Sequence, residues 1–386
     1  MDALPGLARS GDLPIPSYIL SYGELKMPQY KPARLFTSAS QKSFSPTIKN
    51  TPELPIIDWS LVGQTAPKLI SSSGSSLPTA DAVVITWAEA EWAAMEHVFC
   101  KSTSAMSYAS RNTSSWSGWT KYSAGLPSGA PSDWTYWGEW RLVQIGSSTV
   151  LLFKSNTHLD WPGQPYLSDL IKLLIKDVKP GLILSIGTAG GAETGDHVGT
   201  VRAVSAGTLY EKSVAPGSWP DYKNSWKATD TVLDNANFSK LLFPIPTTAS
   251  DLESLCTQFN AYYKTDYSLS DLNPGDLNSG DPLPKVSDQT GGATSLLTTP
   301  TFVVGTTSGQ YQSYVCIEMD DAIIGEVCAA AGVAFGFVRN ISDPVQNASL
   351  PSTVQGNWGG TIYDTYGIYT SYNGALAAWA MLAGKA

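Results

Sequence analysis

Long apolar runs are missing from this chain: nothing in its 386 residues approaches the roughly 18 consecutive apolar residues of a membrane-spanning helix. The opening MDALPGLARSGDLP also lacks the apolar stretch of a secretory leader, so a soluble, cytoplasmic protein is expected, with no membrane partner. Cysteine is scarce. The four residues Cys100, Cys256, Cys316 and Cys328 lie far apart, which excludes a dense disulfide framework and suits reduced thiols. Histidine is scarcer still: His97, His158 and His197 have none of the spacing of a zinc site, so no metal and no cofactor is expected. Positive charge is in deficit, with 24 Lys and Arg against 33 Asp and Glu for a net charge of −9, which disfavours a nucleic-acid polymer as partner. Neither a P-loop nor a G-x-S-x-G elbow occurs, which argues against NTPase and serine hydrolase chemistry.

What the chain does have is one dense stretch, Val315 to Pro344, reading VCIEMDDAIIGEVCAAAGVAFGFVRNISDP. Apolar residues through Ile317 predict a strand. It runs into Glu318, Met319, Asp320 and Asp321, where a helix would begin and where carboxylates meet the positive end of its dipole. Ile323, Val327 and Ala330 recur at helical spacing, with Ile324 and Ala331 beside them, and Gly332 supplies the stop. Val333 to Val338 is then a continuous apolar run, the pattern of a buried parallel strand, ending at Arg339-Asn340-Ile341-Ser342-Asp343-Pro344. The stretch is a βαβ unit with carboxylates at the exits of both strands.

The rest of the chain fits around it. Residues 1–78, rich in Pro and Ser, read as an extended arm suited to lie along a surface or a neighbouring subunit. Residues 79–386 read as one α/β domain with insertions at about 101–147 and 211–299. Ala82 to Thr86 predicts a strand and Ala88 to Phe99 a helix, with Glu91 in its first turn. The first insertion carries Trp116, Trp119, Trp134, Trp137 and Trp140; packing as a satellite core is favoured over a stacking wall for a flat ligand. Val150 to Lys154 is strand-like, with Lys154 and His158 expected at the surface. Leu167 to Ile175 is an amphipathic helix, and Leu182 to Ile186 a strand opening into Gly187-Thr188-Ala189-Gly190-Gly191. Further strands are expected over Asp196 to Ala206 and Thr301 to Val304. Ser250 and Glu253 form a capping box for one helix, and a final helix spans about Tyr366 to Leu382. This order predicts a three-layer α/β domain with a central, largely parallel mixed sheet flanked by helices.

In such sheets ligands sit beyond the carboxyl ends of the strands. Four clusters fall there: Glu91, Gly187 to Gly191, Glu318 to Asp320, and Ser342 with Asp343. Each has a structural reading of its own. Glu91 and Asp320 can serve helix dipoles, the glycines a tight turn, and Asp343 before Pro344 a turn. Their convergence on one edge is what points to a composite site.

The segment from Glu318 to Asp343 resembles the signature of the purine nucleoside phosphorylase and methylthioadenosine/adenosylhomocysteine nucleosidase superfamily, a Glu-Met-Glu at a helix start and Arg-x-Ile-Ser-Asp at the next strand end. Gly187 to Gly191, followed by Gly195-Asp196, resembles its glycine motif. The resemblance implies a nucleoside phosphorylase-like fold, a dimer or higher oligomer, and a small nucleoside or nucleotide as substrate. It implies Asp343 as the acid protonating the leaving purine and Glu91 as the base aligning water. It further implies a binding surface of Thr188, Ala189, Gly190, Glu318, Met319, Asp320 and Ser342, with Met319 and Asp320 against the ribose. Asp320 stands where the family usually has Glu.

Cleaving an N-glycosidic bond builds positive charge on the sugar and negative charge on the base, so one group must supply a proton while another aligns water. The first strand exit, Thr86-Trp87-Ala88-Glu89-Ala90-Glu91, carries carboxylates where hexameric phosphorylases hold phosphate, so hydrolysis is preferred over phosphorolysis. A non-catalytic nucleoside-binding or storage protein is the other alternative.

Overall fold

A computed structural model describes residues 44, 46–72, 74–192, 197–272, 284–300, 310–343 and 347–384. The strand expected over Thr301 to Val304, the Gly195-Asp196 pair, Pro344 and most of the arm lie outside them. In chain order the first half holds β1 (Lys68–Ile70), β2 (Ala82–Thr86), α1 (Glu89–Cys100), β3 (Thr120–Tyr122), β4 (Gly138–Ile145), β5 (Ser148–Ser155) and α2 (Gln164–Val178). There follow β6 (Leu182–Gly191), β7 (Val201–Val204), β8 (Ala206–Leu209), β9 (Asp221–Lys223), α3 (Ala249–Tyr263), α4 (Leu269–Leu272), β10 (Val286–Asp288) and β11 (Leu296–Thr298). The dense stretch supplies β12 (Cys316–Glu318), α5 (Asp321–Ala331) and β13 (Ala334–Asp343), and α6 (Ser352–Leu382) closes the chain.

These strands form one mixed sheet whose heart, in the order β5-β2-β6-β13, is parallel. Antiparallel β4 flanks it on one side, and β7 and β12 pair antiparallel with β13 and β6 on the other. The central strands are buried on both faces because successive side chains point to opposite sides. Val84, Leu152, Leu184 and Val338 join the core under α1 and α6. Val83, Leu151, Ile183 and Phe337 join the core under α2 and α5. The result is the three-layer α/β arrangement.

Several elements depart from the sequence pattern, each for a physical reason. The glycine cluster is not a turn: β6 runs straight through it to Gly191, pairing with β13 and then, at Gly190 and Gly191, with β12. β4 is a full sheet strand inside the segment read as an insertion, and Trp134, Trp137 and Trp140 there are buried. The arm's last part belongs to the body, since Leu54, Ile57, Trp59 and Val62 are buried and β1 pairs with β4. α6 starts fourteen residues before the expected Tyr366, because burial of Trp358 and Ile362 overrides a Gly- and Thr-rich sequence of low helix propensity. The cap of α3 is Thr248 with Asp251 rather than Ser250 with Glu253.

Candidate active site

Arg339, which follows the apolar run of β13 directly, is the charge around which the sheet edge is organised. Its guanidinium is 3% exposed, and burial of an unpaired cation there would be prohibitive. It forks onto Asp321 at the start of α5, with Nε 2.7 Å from Oδ2 and Nη2 on Oδ1. Nη2 also donates to Ser185 Oγ at 2.9 Å and lies 3.1 Å from Glu318 Oε2. Glu318 in turn accepts from the backbone N–H of Asp320 at 2.6 Å and of Asp321 at 3.0 Å, and from the Thr298 hydroxyl. Burial and the adjacent Asp321 push its carboxyl up to about 8. Both Glu318 oxygens are thus engaged inside the protein, and they cap the start of α5.

Glu91 is the other anchor. Its Oε2 accepts from Thr86 Oγ1 at 2.9 Å, Trp87 N at 3.1 Å and Ala88 N at 2.9 Å; its Oε1 accepts from the N–H and the hydroxyl of Thr188, both at 2.8 Å. It therefore caps its own helix and ties β2 to β6. Burial pushes its carboxyl up, but the Arg339 guanidinium and the hydrogen bonds from Thr188 and Ala88 outweigh that and hold it below the usual carboxylate range. Gly187 is required beneath this pair: a Cβ there would lie 3.1 Å from Glu91 Oε1 and closer still to Arg339 Nη1.

Asp320 lies at the junction of β12 and α5, 2% exposed. Oδ1 accepts from Leu159 N at 2.9 Å, and Oδ2 is 3.2 Å from His158 Nε2. The opposite ring nitrogen of His158 lies 2.9 Å from Asp160 Oδ1. Burial opposes the imidazolium, yet Asp320 and then Asp160 push His158 up to about 9. Burial raises Asp320 to about 6 against the pull of His158 and Arg339. His158 is therefore a buried member of the site, not the surface residue its loop position suggests. Lys154 is buried as well, its ammonium 5.8 Å from the Trp92 ring centroid and pushed down to about 8 by burial against the pull of Glu89, Glu139 and Glu91.

Asp343 completes the edge, and a backbone irregularity aims it. Ile341 pairs with Ala189 and Asp343 with Gly190, so two residues of β13 oppose one of β6. Such a bulge flips the side-chain alternation. Ile341 points into the core under α2 and α5, whereas Asp343 turns against α6, where a Cβ at Gly359 would sit 3.5 Å from Oδ2. Its Oδ1 accepts from the Ser342 hydroxyl at 2.7 Å; its Oδ2 is buried and has no hydrogen-bond partner among the described residues. Burial, opposed by Ser342, pushes this carboxyl up to about 6.

The other residues expected at the site are tied to these by individual contacts. Thr188 holds Glu91, Gly190 pairs with Asp343, Ala189 and Met319 are buried, and the Ser342 hydroxyl reaches within 3.4 Å of Ala189 O. Sequence reasoning missed Trp87, whose indole N–H donates to Thr157 O at 2.9 Å. Its ring meets the edge of His158 and lies 5.3 Å from the Arg339 guanidinium carbon. Its place directly at the β2 exit was the available signal. The tryptophans of the first insertion pack: Trp134 donates to Asn156 O at 3.0 Å and Trp119 to Glu96 at 2.8 Å. Among the described residues no group of three or more His, Cys, Asp or Glu is placed to hold a metal ion, and no helix is long and apolar enough to cross a membrane.

No protein-family model and no curated protein matches the sequence. The chain is similar in structure to a 5′-methylthioadenosine/S-adenosylhomocysteine nucleosidase from Neisseria meningitidis in complex with methylthio-immucillin-A, at 11% identity, 78% coverage of this chain, 98% of that one and a TM-score of 0.42. It is similar to the futalosine hydrolase of Helicobacter pylori, at 11% identity, 78% and 97% coverage and a TM-score of 0.42. A putative methylthioadenosine nucleosidase from Weissella paramesenteroides is similar at 15% identity, 75% and 96% coverage and a TM-score of 0.35.

Proposed function

We propose that this protein hydrolyses the N-glycosidic bond of a purine nucleoside, releasing the free base. The observation that carries this reading is Asp343 Oδ2, a buried carboxyl oxygen without a hydrogen-bond partner among the described residues, beside the glycine segment of β6. A buried acid held near neutrality, with one oxygen free to donate its proton, is what protonation of a leaving base requires. Asp320 serves as the sugar-binding carboxylate, and its negative charge also favours the positive charge that develops on the sugar.

Water alignment falls to Glu91 acting with Thr188. Five donors already surround the Glu91 carboxylate, more than its about four lone-pair sites take comfortably. The attacking water therefore binds to the Thr188 hydroxyl oxygen, which passes a proton on to Glu91 Oε1. A depressed carboxylate is a weak base, but an oxocarbenium-like transition state asks more for alignment than for basicity.

The cations favour hydrolysis over phosphorolysis and an uncharged sugar over a nucleotide. Arg339 is taken up by Asp321 and Glu318, and a phosphate reaching Lys154 would meet Glu89, Glu139 and Glu91 around it. Incubation with adenosine, methylthioadenosine, AMP and ATP, with and without phosphate, followed by chromatography for free base, tests the reading. Base release from an uncharged nucleoside, independent of phosphate, is expected; strict phosphate dependence or no release from any of the four would overturn it.

A further inference from the structure

His158 belongs to the loop between β5 and α2, and the loop is built to hold it. Its backbone N–H donates to Trp161 O at 2.9 Å, and its carbonyl accepts from Trp161 N at 3.2 Å and Gly163 N at 3.3 Å. The ring is buried, with the edge-on Trp87 indole at 6.5 Å between centroids. One ring nitrogen faces Asp160 and the other Asp320; Glu318 is the remaining charged group that acts on it. Two carboxylates on one imidazole is more than packing needs. The terminal torsion of an Asp side chain is broad and nearly two-fold, so a carboxylate with one partner can swivel. Among the described residues, Asp320 Oδ1 accepts from Leu159 N–H and Oδ2 is ion-paired with the His158 ring at 3.2 Å, and the two contacts on opposite oxygens fix its plane. Each oxygen keeps a second lone-pair site, a spacing suited to two neighbouring hydroxyls.

We propose that His158, clamped between Asp160 and Asp320, is a positioning residue that sets a preference for sugars carrying both vicinal hydroxyls. This rests on the reading of Asp320 as the sugar-binding carboxylate of a nucleosidase. His158 makes no contact with the sugar itself; it acts by holding Asp320 in the one plane from which both hydroxyls are reached. A sugar without those hydroxyls gains nothing from that plane, so loss of His158 costs binding energy for ribosides alone.

The test measures kcat/KM for adenosine, inosine and guanosine against their 2′,3′-dideoxy counterparts, taking the ratio of riboside to dideoxyriboside for the best base. Intrinsic differences in bond lability cancel when ratios are compared between variants. His158→Leu should lower the ratio by about tenfold or more, the scale of a charge-assisted hydrogen bond. His158→Gln, which still donates to a carboxylate, should recover part of the loss. Should His158→Leu fail to fold, His158→Gln carries the test alone, with a ratio below wild type expected because its amide cannot engage both carboxylates as the ring does. A wild-type protein that releases base, with the ratio unchanged in the folded variants, overturns the role of His158 and leaves the nucleosidase reading standing. A wild type that releases no base from any nucleoside overturns the nucleosidase reading itself, and this inference with it.

Discussion

Glu91 and Asp343 stand at the exits of two strands that flank β6, are 5% and 2% exposed respectively, and yet are driven in opposite directions. Burial pushes both carboxyls up. Among the described residues, Glu91 has the field of Arg339 and five hydrogen bonds and ends below the usual range; Asp343 has one, from Ser342, and ends at about 6. Desolvation is therefore common to the two, and the Arg339 charge together with the donors decides the difference. β6 enforces the difference, since Thr188 turns its N–H and hydroxyl to Glu91 while the neighbour of Asp343 is Gly190, which has no side chain to offer.

The largest expected effect comes from Asp343→Asn, which keeps the shape but cannot supply a proton. Base release should fall by about 10²–10⁴ in kcat, roughly 3–5 kcal/mol of barrier. Stability should move the other way. A carboxyl raised in the folded state binds its proton more tightly there than in the unfolded chain. Its stabilising proton is retained at low pH and lost as pH rises through about 6. Removing the buried anion should thus raise the melting temperature at pH 8, by roughly 1–3 kcal/mol of stability, and change little at pH 4. A variant less stable than wild type at pH 8 would break the comparison.

Glu91→Gln comes next. An amide in place of the carboxylate must turn its NH₂ toward either the N–H groups of Trp87 and Ala88 or the N–H of Thr188, donor against donor. The expected loss is about 2–3 kcal/mol of stability, the scale of charged hydrogen bonds left unmade, together with loss of hydrolysis. Because the Glu91 carboxyl is depressed in the folded state, its contribution is present above its ordinary value near 4.5 and disappears as pH falls below that. Thermal unfolding of wild type and variant should therefore converge toward pH 3. Full base release by Glu91→Gln without phosphate would remove Glu91 from water alignment.

The strand–helix–strand order of the dense stretch was legible because it obeys local rules, although β12 and β13 pair with β6 in opposite senses, so the stretch is not the parallel βαβ unit expected. Val333 to Val338 reads as a buried strand since it is buried on both faces, and Gly332 stops α5 with φ 69° as its sequence position implies. Glu91 and Asp343 follow the exits of β2 and β13, which run parallel to β6, whereas Asp320 follows β12, which runs antiparallel to it, so strand exits alone did not place Asp320. What the sequence pattern could not carry was pairing at a distance. Nothing local to His158 announces Asp320, 162 residues away in the chain, nor does Glu318 reveal that Thr298 and Arg339 will occupy its oxygens. The bulge that aims Asp343 at α6 exists only in the register between β13 and β6. β4 was hidden for a related reason: its Gly, Glu, Arg and Gln interrupt the apolar run, and only pairing with β5 along its whole length makes it a strand.

The smallest effect separates the two carboxyls most cleanly. Ser342→Ala removes the one hydrogen bond that the Asp343 carboxyl receives among the described residues, and a hydrogen bond to the anion favours the anion. Such a bond is worth about 0.5–1.5 kcal/mol. The alkaline limb of the base-release profile, where the acid loses its proton near pH 6 in the wild type, should move up by about half a pH unit to one, with the maximal rate changed only a few-fold. On the other side, Thr86→Val removes one donor of five from Glu91 and should leave that limb where it is. Limb positions from full pH profiles of both variants check this. A limb that moves in Thr86→Val and stays fixed in Ser342→Ala would assign the titrating acid to Glu91, and would reverse the roles drawn here from the unequal donors around two equally buried groups.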